Sequence, residues 1–396
     1  MVITGEVDSG KSTLIGRFLY EMGSLSEGAV EEIRNVCHRL GNDFEFAYLL
    51  DSFEEERKGQ LTIDTTQAFC RAKKGRQFIF IDVPGHQELL KNMLCGSSYA
   101  DIAVLVVDAA KSIEEQTRRH FFILKFLGIK QVILALNKMD LTGFSEDSFK
   151  DVKRKINEFS NKLGIEIENF IPLSAKLGEN IVKKSKKMPW YRGLPLLGAL
   201  SGCSKETINN DFRFPIQDIY EFNGERIAVG EIISGEIRGR EIVAVLPVNK
   251  KFRIKKIRVF NKNKPYARAP ESIGLVLDDM DGLARGQVIC KPALPKIGQE
   301  IPAKIFCINP LNINGNFILK CATQEASARV KHINKTWDTV TLEQKSSLNS
   351  LDRADVAQVI LALDRPIAVE SYTGSNGLGR FVLKSKGEIY AVGIIL

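Results

Sequence analysis

The sequence predicts an α/β domain on a doubly wound, mostly parallel sheet, followed by two all-β barrel domains. Three observations predict it. A phosphate-loop (P-loop) signature lies between a strand-like and a helix-like segment near the start. Short apolar runs then alternate with helix-like segments to about residue 200. Beyond a polar break, short strands alternate with Gly, Asn and Pro turns to the end.

The first strand is Met1-Val2-Ile3-Thr4, and a helix is expected from Ser12 to Met22. The runs Phe78–Ile81, Ile102–Val107 and Gln131–Leu136 are rich in Val, Ile and Leu. Near-continuous apolar strands between helices imply a parallel sheet covered on both faces. Residues 201–211 are polar and turn-rich and read as a linker. Strands follow at Arg226–Ile233, Glu241–Leu246 and Lys251–Phe260. After a second break at residues 291–296, strands include Phe317–Cys321 and Gly379–Leu383. The expected domains are 1–203, 204–296 and 297–396.

Composition bounds the class. The chain has 396 residues, 44% of them hydrophobic and 26% charged, as a globular protein does. No apolar run approaches the roughly 18 residues of a membrane span. No leader is legible at the N-terminus, because Asp8 and Lys11 fall where an apolar core would lie. A cytoplasmic protein without membrane association is expected. The seven cysteines are scattered with no C-x-x-C pair, which suits small core residues in a reducing compartment. A net charge of +8 permits an anionic partner without demanding one.

The chemistry begins at Gly5-Glu6-Val7-Asp8-Ser9-Gly10-Lys11-Ser12, a complete G-x-x-x-x-G-K-S. Glycines let the backbone aim N–H groups at phosphate oxygens; Lys11 neutralises the β- and γ-phosphates, and Ser12 is an Mg²⁺ ligand. Gly5, Asp8, Ser9, Gly10, Lys11, Ser12 and Thr13 are the candidate phosphate-binding residues. Asp82-Val83-Pro84-Gly85-His86 follows a strand; Asp82 would hold Mg²⁺ through water and the Gly85 N–H would sense the γ-phosphate. Asn137-Lys138-Met139-Asp140 follows another strand. The Asp140 carboxylate can accept from the N1–H and N2 amine of guanine, a donor pair adenine lacks. Ser174-Ala175-Lys176 would close over the guanine O6.

Four motifs in this order resemble the translation-factor-type GTPases, and the aspartate-x-proline-glycine-histidine form in particular is similar to that class. The resemblance implies that GTP and Mg²⁺ are the ligands and that His86 orients the attacking water. Residues 54–64 resemble the first switch segment, with Thr62 as an Mg²⁺ ligand and Val7 and Leu61 as an apolar gate beside the histidine. The family reads Gly-Ile-Thr there, whereas this chain has Gly59-Gln60-Leu61-Thr62.

Within the superfamily, the long insertion Gly23–Phe53 resembles both the archaeal and eukaryotic aminoacyl-tRNA elongation factors and the GTP-binding subunit of sulfate adenylyltransferase. Residues 107–120, Met188–Tyr191, Phe212–Asp218 and Gly379–Leu383 are more similar to the latter. That branch implies a separate catalytic sulfate adenylyltransferase small subunit as partner, in a heterodimer or larger assembly. GTP hydrolysis would drive formation of adenosine 5′-phosphosulfate from ATP and sulfate. The alternative is an elongation-factor-like GTPase that carries aminoacyl-tRNA or acts on the ribosome.

Lys250, Lys251, Arg253, Lys255, Lys256 and Arg258 crowd one strand. Phe252 and Ile254 alternate in phase, then Ile257 and Val259 out of phase, so a β-bulge is expected near Lys255-Lys256. The favoured reading is a solvated strand face that discourages edge pairing, ahead of a surface for RNA or an acidic partner.

Overall fold

The structure is a computed structural model. It describes the chain apart from residues 26–27, 29, 32–34, 36, 38–45, 47–65, 72–76, 83–101, 112–113, 130, 204–210, 261, 292, 339–342, 346–349 and 373–376, and the side chains of 66–69, 71, 77, 81 and 82. Two compact units are present, one within residues 1–205 and one comprising residues 206–396 apart from those omissions.

The first unit holds a six-stranded sheet of β1 (Val2–Gly5), β2 (Thr66–Arg71), β3 (Gln77–Asp82), β4 (Ile102–Asp108), β5 (Gln131–Asn137) and β6 (Ile167–Pro172). The strand order is β2-β3-β1-β4-β5-β6. All neighbours run parallel except β2, which is antiparallel to β3 on the edge. β4 and β5 are buried along their whole length, as their unbroken apolar sequences require. Helix α1 (Lys11–Glu21) lays Leu14, Ile15, Phe18 and Leu19 on the sheet together with Leu196, Ala199 and Leu200 of a short later helix. Helices α2 (Glu115–Phe126) and α3 (Glu146–Leu163) pack on each other, α2 against β1 and β4 and α3 against β6. α3 is capped by Ser145, which accepts from the Ser148 N–H, and stops at Gly164 in a left-handed conformation (φ 63°). The short helix, α4 (Leu196–Gly202), takes the first two residues of the segment read as a linker. Ser201 and Gly202 are therefore helical, because the apolar residues before them dock on the sheet and carry the helix past its buried face.

The second unit contains two larger sheets. β7 (Arg213–Pro215), β8 (Asp218–Phe222), β9 (Glu225–Glu231), β10 (Glu236–Arg238), β11 (Ile242–Leu246), β12 (Lys250–Val259), β13 (Lys262–Lys264), β14 (Tyr266–Arg268), β15 (Ser272–Leu277) and β16 (Val288–Cys290) come first. Their main path is β7-β16-β11-β12-β15-β9-β8, with β13 on β12 and β10 paired to β14. The Gln217 N–H donates to Val229 O, which brings the β7 end back against β9 around a core that includes Phe212, Phe214, Ile254 and Leu275. In β12 the register slips between Ile254 and Lys256, where the sequence pattern places a bulge. Phe252, Ile254 and Ile257 all face inward while Lys255 and Lys256 remain exposed. Lys256 and Arg258 share Glu225 on a solvated face, but β12 pairs β11 and β13 along one side and β15 along the other, so its lysines have no open edge to guard.

The remaining strands are β17 (Lys296–Cys307), β18 (Leu311–Asn312), β19 (Phe317–Cys321), β20 (Gln324–Trp337), β21 (Gln344–Lys345), β22 (Ser350–Leu351), β23 (Val356–Val369), β24 (Arg380–Ser385) and β25 (Glu388–Ile395). The order β19-β24-β25-β17-β23-β20 closes on itself through the β19–β20 pair, giving a six-stranded barrel. Closure removes the open edges that long antiparallel strands would otherwise expose. Gly379 ends a 3₁₀ turn (Gly377–Gly379) rather than opening the strand, which starts at Arg380. All six described cysteines are buried, and no disulfide links them. Burial pushes the thiols of Cys290 and Cys321 up to about 11 and about 12, so both behave as apolar groups.

One buried cation ties the two sheets of this unit together. Arg213 of β7 donates to Glu370, just after β23, at 2.7 and 2.9 Å, and to the Phe212, Lys291 and Ala293 carbonyls. Its side chain is 2% exposed and that of Glu370 15%. Arg213→Ala leaves a carboxylate unpaired in a dry site and should destabilise the second unit by about 3–5 kcal/mol. The double change Arg213→Met with Glu370→Leu should cost less than that. Urea unfolding of the three proteins measures both.

Candidate functional site

β1 ends at Gly5, and α1 starts six residues later. Three residues of the connection have positive φ: Gly5 (152°), Asp8 (62°) and Gly10 (87°). A Cβ at Gly5 would sit 2.2 Å from Val106 O, and one at Gly10 would sit 2.4 Å from Asn137 Nδ2. Both positions therefore need glycine for space as well as conformation. No side chain caps α1 and its first turn carries no acid, so its positive end faces the loop unneutralised. The Lys11 ammonium lies back over the loop, donating to the Gly5 and Glu6 carbonyls at 3.0 and 2.7 Å. Ser9 is buried, and its hydroxyl has no hydrogen-bond partner among the described residues. Ser12 and Thr13 stand half-buried on the first turn of α1. A glycine cradle, an uncapped helix start, an ammonium and an orphaned hydroxyl together fit a phosphate-bearing ligand.

The second part of the site begins where β5 ends. Asn137 is 2% exposed and uses both ends of its carboxamide. Its Nδ2 donates to Ser9 O at 2.8 Å, and its Oδ1 accepts from the Ala175 N–H at 2.9 Å. This one side chain joins the phosphate loop, the end of β5 and the segment after β6. Lys138 takes a left-handed conformation (φ 64°) and reaches Asp108 Oδ2 at 2.8 Å; the other Asp108 oxygen accepts from the Ala110 N–H. Met139 is buried as an anchor, which sets the 3₁₀ turn Met139–Thr142 and brings up Asp140 half-buried. Among the described residues the Asp140 carboxylate makes no ion pair or side-chain hydrogen bond. Ser174 is fully buried and accepts from the Leu177 N–H at 3.2 Å, which fixes the turn holding Ala175 and Lys176. Lys176 is exposed.

The structure thus gathers Gly5–Thr13, Asn137–Asp140 and Ser174–Lys176 at the C-terminal ends of the parallel strands, where open α/β sheets place their ligands. Val7 projects to solvent, 66% exposed. Asp82 ends β3, but its side chain, and Leu61, Thr62, Gly85 and His86, lie outside the described residues. So do most of the 23–53 insertion and Cys95.

Three contributors were not singled out from the sequence. Arg17 donates to the Lys176 and Leu177 carbonyls at 3.3 and 3.4 Å while paired to Glu21 at 2.7 Å. Asp108 holds Lys138. Glu6 is buried against Thr117. The i, i+4 spacing of Arg17 and Glu21 is legible; their reach across the domain is not. Trp190 and Tyr191 pack on Phe149 of α3, and the Trp190 indole donates to Phe144 O at 3.0 Å. Both are half-buried and lie within the first unit.

Asn137→Ala leaves the Ser9 carbonyl and the Ala175 N–H buried without partners. It should lower the stability of the first unit by about 2–4 kcal/mol, since each orphaned buried group costs about 1–3 kcal/mol. Thermal unfolding measures it.

Residues 1–215 match the family of the elongation factor Tu GTP binding domain, and residues 300–396 match the GTP-eEF1A C-terminal domain-like family. The chain is 36% identical to sulfate adenylyltransferase subunit 1 of Bacteroides fragilis, over 97% of this chain and 82% of that one. It is 33% identical to elongation factor 1-alpha of Thermoplasma acidophilum, over 99% of this chain and 96% of that one. Among solved structures, Sup35 complexed with GDP aligns with 100% of this chain and 92% of its own, at 21% identity and a TM-score of 0.46. No helix among the described residues is long and apolar enough to cross a membrane. With its phosphate loop, its Asn137 brace and the family match spanning 1–215, the chain belongs to the elongation factor Tu-type family of GTP-binding proteins and is a GTPase.

Proposed function

We propose that this chain is the GTP-hydrolysing regulatory subunit of a sulfate adenylyltransferase. A separate catalytic small subunit would join sulfate to ATP, and GTP hydrolysis here would drive that unfavourable step. The observation that carries the reading is the near full-length likeness to sulfate adenylyltransferase subunit 1. Residues 107–120, Met188–Tyr191 and Phe212–Asp218 point to the same branch. The protein is cytoplasmic on this reading.

The roles follow from chemistry. The loop N–H groups and the start of α1 hold the phosphates, and Lys11 moves from the loop carbonyls to phosphate oxygens. The Ser12 hydroxyl fits an Mg²⁺ ligand, with Thr62 and Asp82 assigned from sequence to the same ion. When bound, Mg²⁺ would supply charge neutralisation to the phosphates. Asp140, with no side-chain partner among the described residues, accepts the paired donors of guanine. Asn137 keeps that carboxylate in register with the loop, and the Ala175 and Lys176 segment closes over O6. His86 orients the attacking water between the apolar gate residues Val7 and Leu61. Residues 54–66 and the segment after His86 form the switch that the γ-phosphate orders.

The likeness to elongation factor 1-alpha favours a second reading, a carrier of aminoacyl-tRNA or a ribosome-acting factor. One experiment separates them. The chain is captured from its host with a non-hydrolysable GTP analogue, exchanged into GTP and assayed for pyrophosphate release that needs both ATP and sulfate. GTP-stimulated release supports the sulfurylase reading. Absent release, with tRNA or ribosomal material in the eluate, replaces it with the second. Independently, Asp140→Asn should weaken GTP about 100-fold or more, because a charged acceptor of two buried hydrogen bonds is lost. Isothermal titration with GTP and ATP measures the change; unaltered GTP affinity would remove Asp140 from base recognition.

A further inference from the structure

Glu6 is the first variable residue of the phosphate loop, and its side chain is only 6% exposed. Its carboxylate points away from the loop mouth into the body of the first unit. There Oε1 accepts from the hydroxyl of Thr117 on α2, itself 1% exposed. Among the described residues no cation lies within ion-pair distance of that carboxylate. The nearby ammonium, Lys11, is bonded to the Glu6 backbone carbonyl instead, at 2.7 Å. The Glu6 carbonyl also receives the Ser9 N–H at 3.2 Å. One residue thus supports the loop through its carbonyl and places an acid directly behind it.

Such a group is unusual chemistry for a loop built to hold a polyanion. Apart from the exposed Asp8, the rest of the described loop is neutral or positive: amide N–H groups, an uncapped helix start, an orphaned hydroxyl and an ammonium. An unpaired carboxylate in a low-dielectric setting acts over a longer range than one in water. A neutral hydroxyl donor keeps it in place without cancelling its charge.

We propose that Glu6 is a built-in affinity setter: a fixed negative charge behind the phosphate loop that weakens nucleotide binding and speeds its release. The opposition grows with ligand charge, so it bears harder on GTP than on GDP. Thr117 holds the acid at its post, which makes the start of α2 part of the nucleotide-release apparatus.

The charge can be removed with little change of shape. In Glu6→Gln the amide oxygen still accepts from Thr117, and the backbone carbonyl still supports Lys11. Nucleotide dissociation is followed by stopped flow on the full chain, with fluorescent mant-GDP and a non-hydrolysable mant-GTP analogue. The charge mechanism predicts that Glu6→Gln releases both more slowly, by about tenfold for a unit charge acting across the loop. The slowing should be larger for the GTP analogue. A purely structural role predicts the opposite sign, because a weakened loop lets go faster. Thr117→Val, which removes the hydroxyl donor but leaves the acid in the chain, should not reproduce the slowing. Release from Glu6→Gln that is unchanged or faster, in a protein of normal circular dichroism, overturns the proposal. If the unaltered chain binds neither nucleotide, the GTP assignment falls with it.

Discussion

The first unit depends on one buried carboxamide. Asn137 is the single side chain that touches all the parts of the nucleotide site the structure describes, bonding Ser9 O with one end and the Ala175 N–H with the other. Its partners are 128 and 38 residues away in sequence. A carboxamide suits the task because it carries a donor and an acceptor on one rigid plane. Neither an ionised carboxylate nor an ammonium could satisfy a carbonyl and an N–H at once. The same side chain forces Gly10, since any Cβ there would collide with it. The glycine of the loop and the asparagine of the distant motif are one packing constraint seen from two sides.

Around that brace, charges are placed with economy. The buried Asp108 is satisfied by Lys138 and by the Ala110 N–H, so it fixes the lysine stem. Asp140, two residues on, is left with no described protein partner and is available to a ligand. Two like carboxylates at neighbouring strand ends thus have different fates, decided by whether a lysine lies within reach. Lys11 shows the complementary arrangement. It rests on two carbonyls, which hold it at the loop without the desolvation that a buried acid partner would bring.

The second unit is organised by a different logic. The second of its two larger sheets has long strands and closes into a barrel through the β19–β20 pair, which removes that sheet's open edges. Arg213 spans from the first strand of one sheet to Glu370 beside the other. Nearby, the Gln324 carboxamide bonds both the N–H and the carbonyl of Ala368 at 2.8 Å. These are buried polar contacts between segments more than 40 residues apart, and they select one arrangement of two otherwise apolar surfaces.

The α/β unit, the order of its motifs and the bulge in β12 were all legible in the sequence. Each rests on local patterning: apolar runs for β4 and β5, glycine spacing for the loop, and a phase slip between Ile254 and Ile257. Less was legible where contacts are long-range. Glu6 reads in the sequence as a variable loop residue; only the fold turns it inward onto Thr117. Arg213 reads as one charge among many; only the sheets around it make it buried and indispensable. Gly379 and Ser201 were assigned to a strand and a linker because composition cannot see the docking that shapes them. The sequence by itself determined which residues can do phosphate and base chemistry, since that capacity is intrinsic to side chains and their spacing. The tertiary structure decided which of them are free to do it, because burial and partners are properties of the packed chain and not of any residue alone.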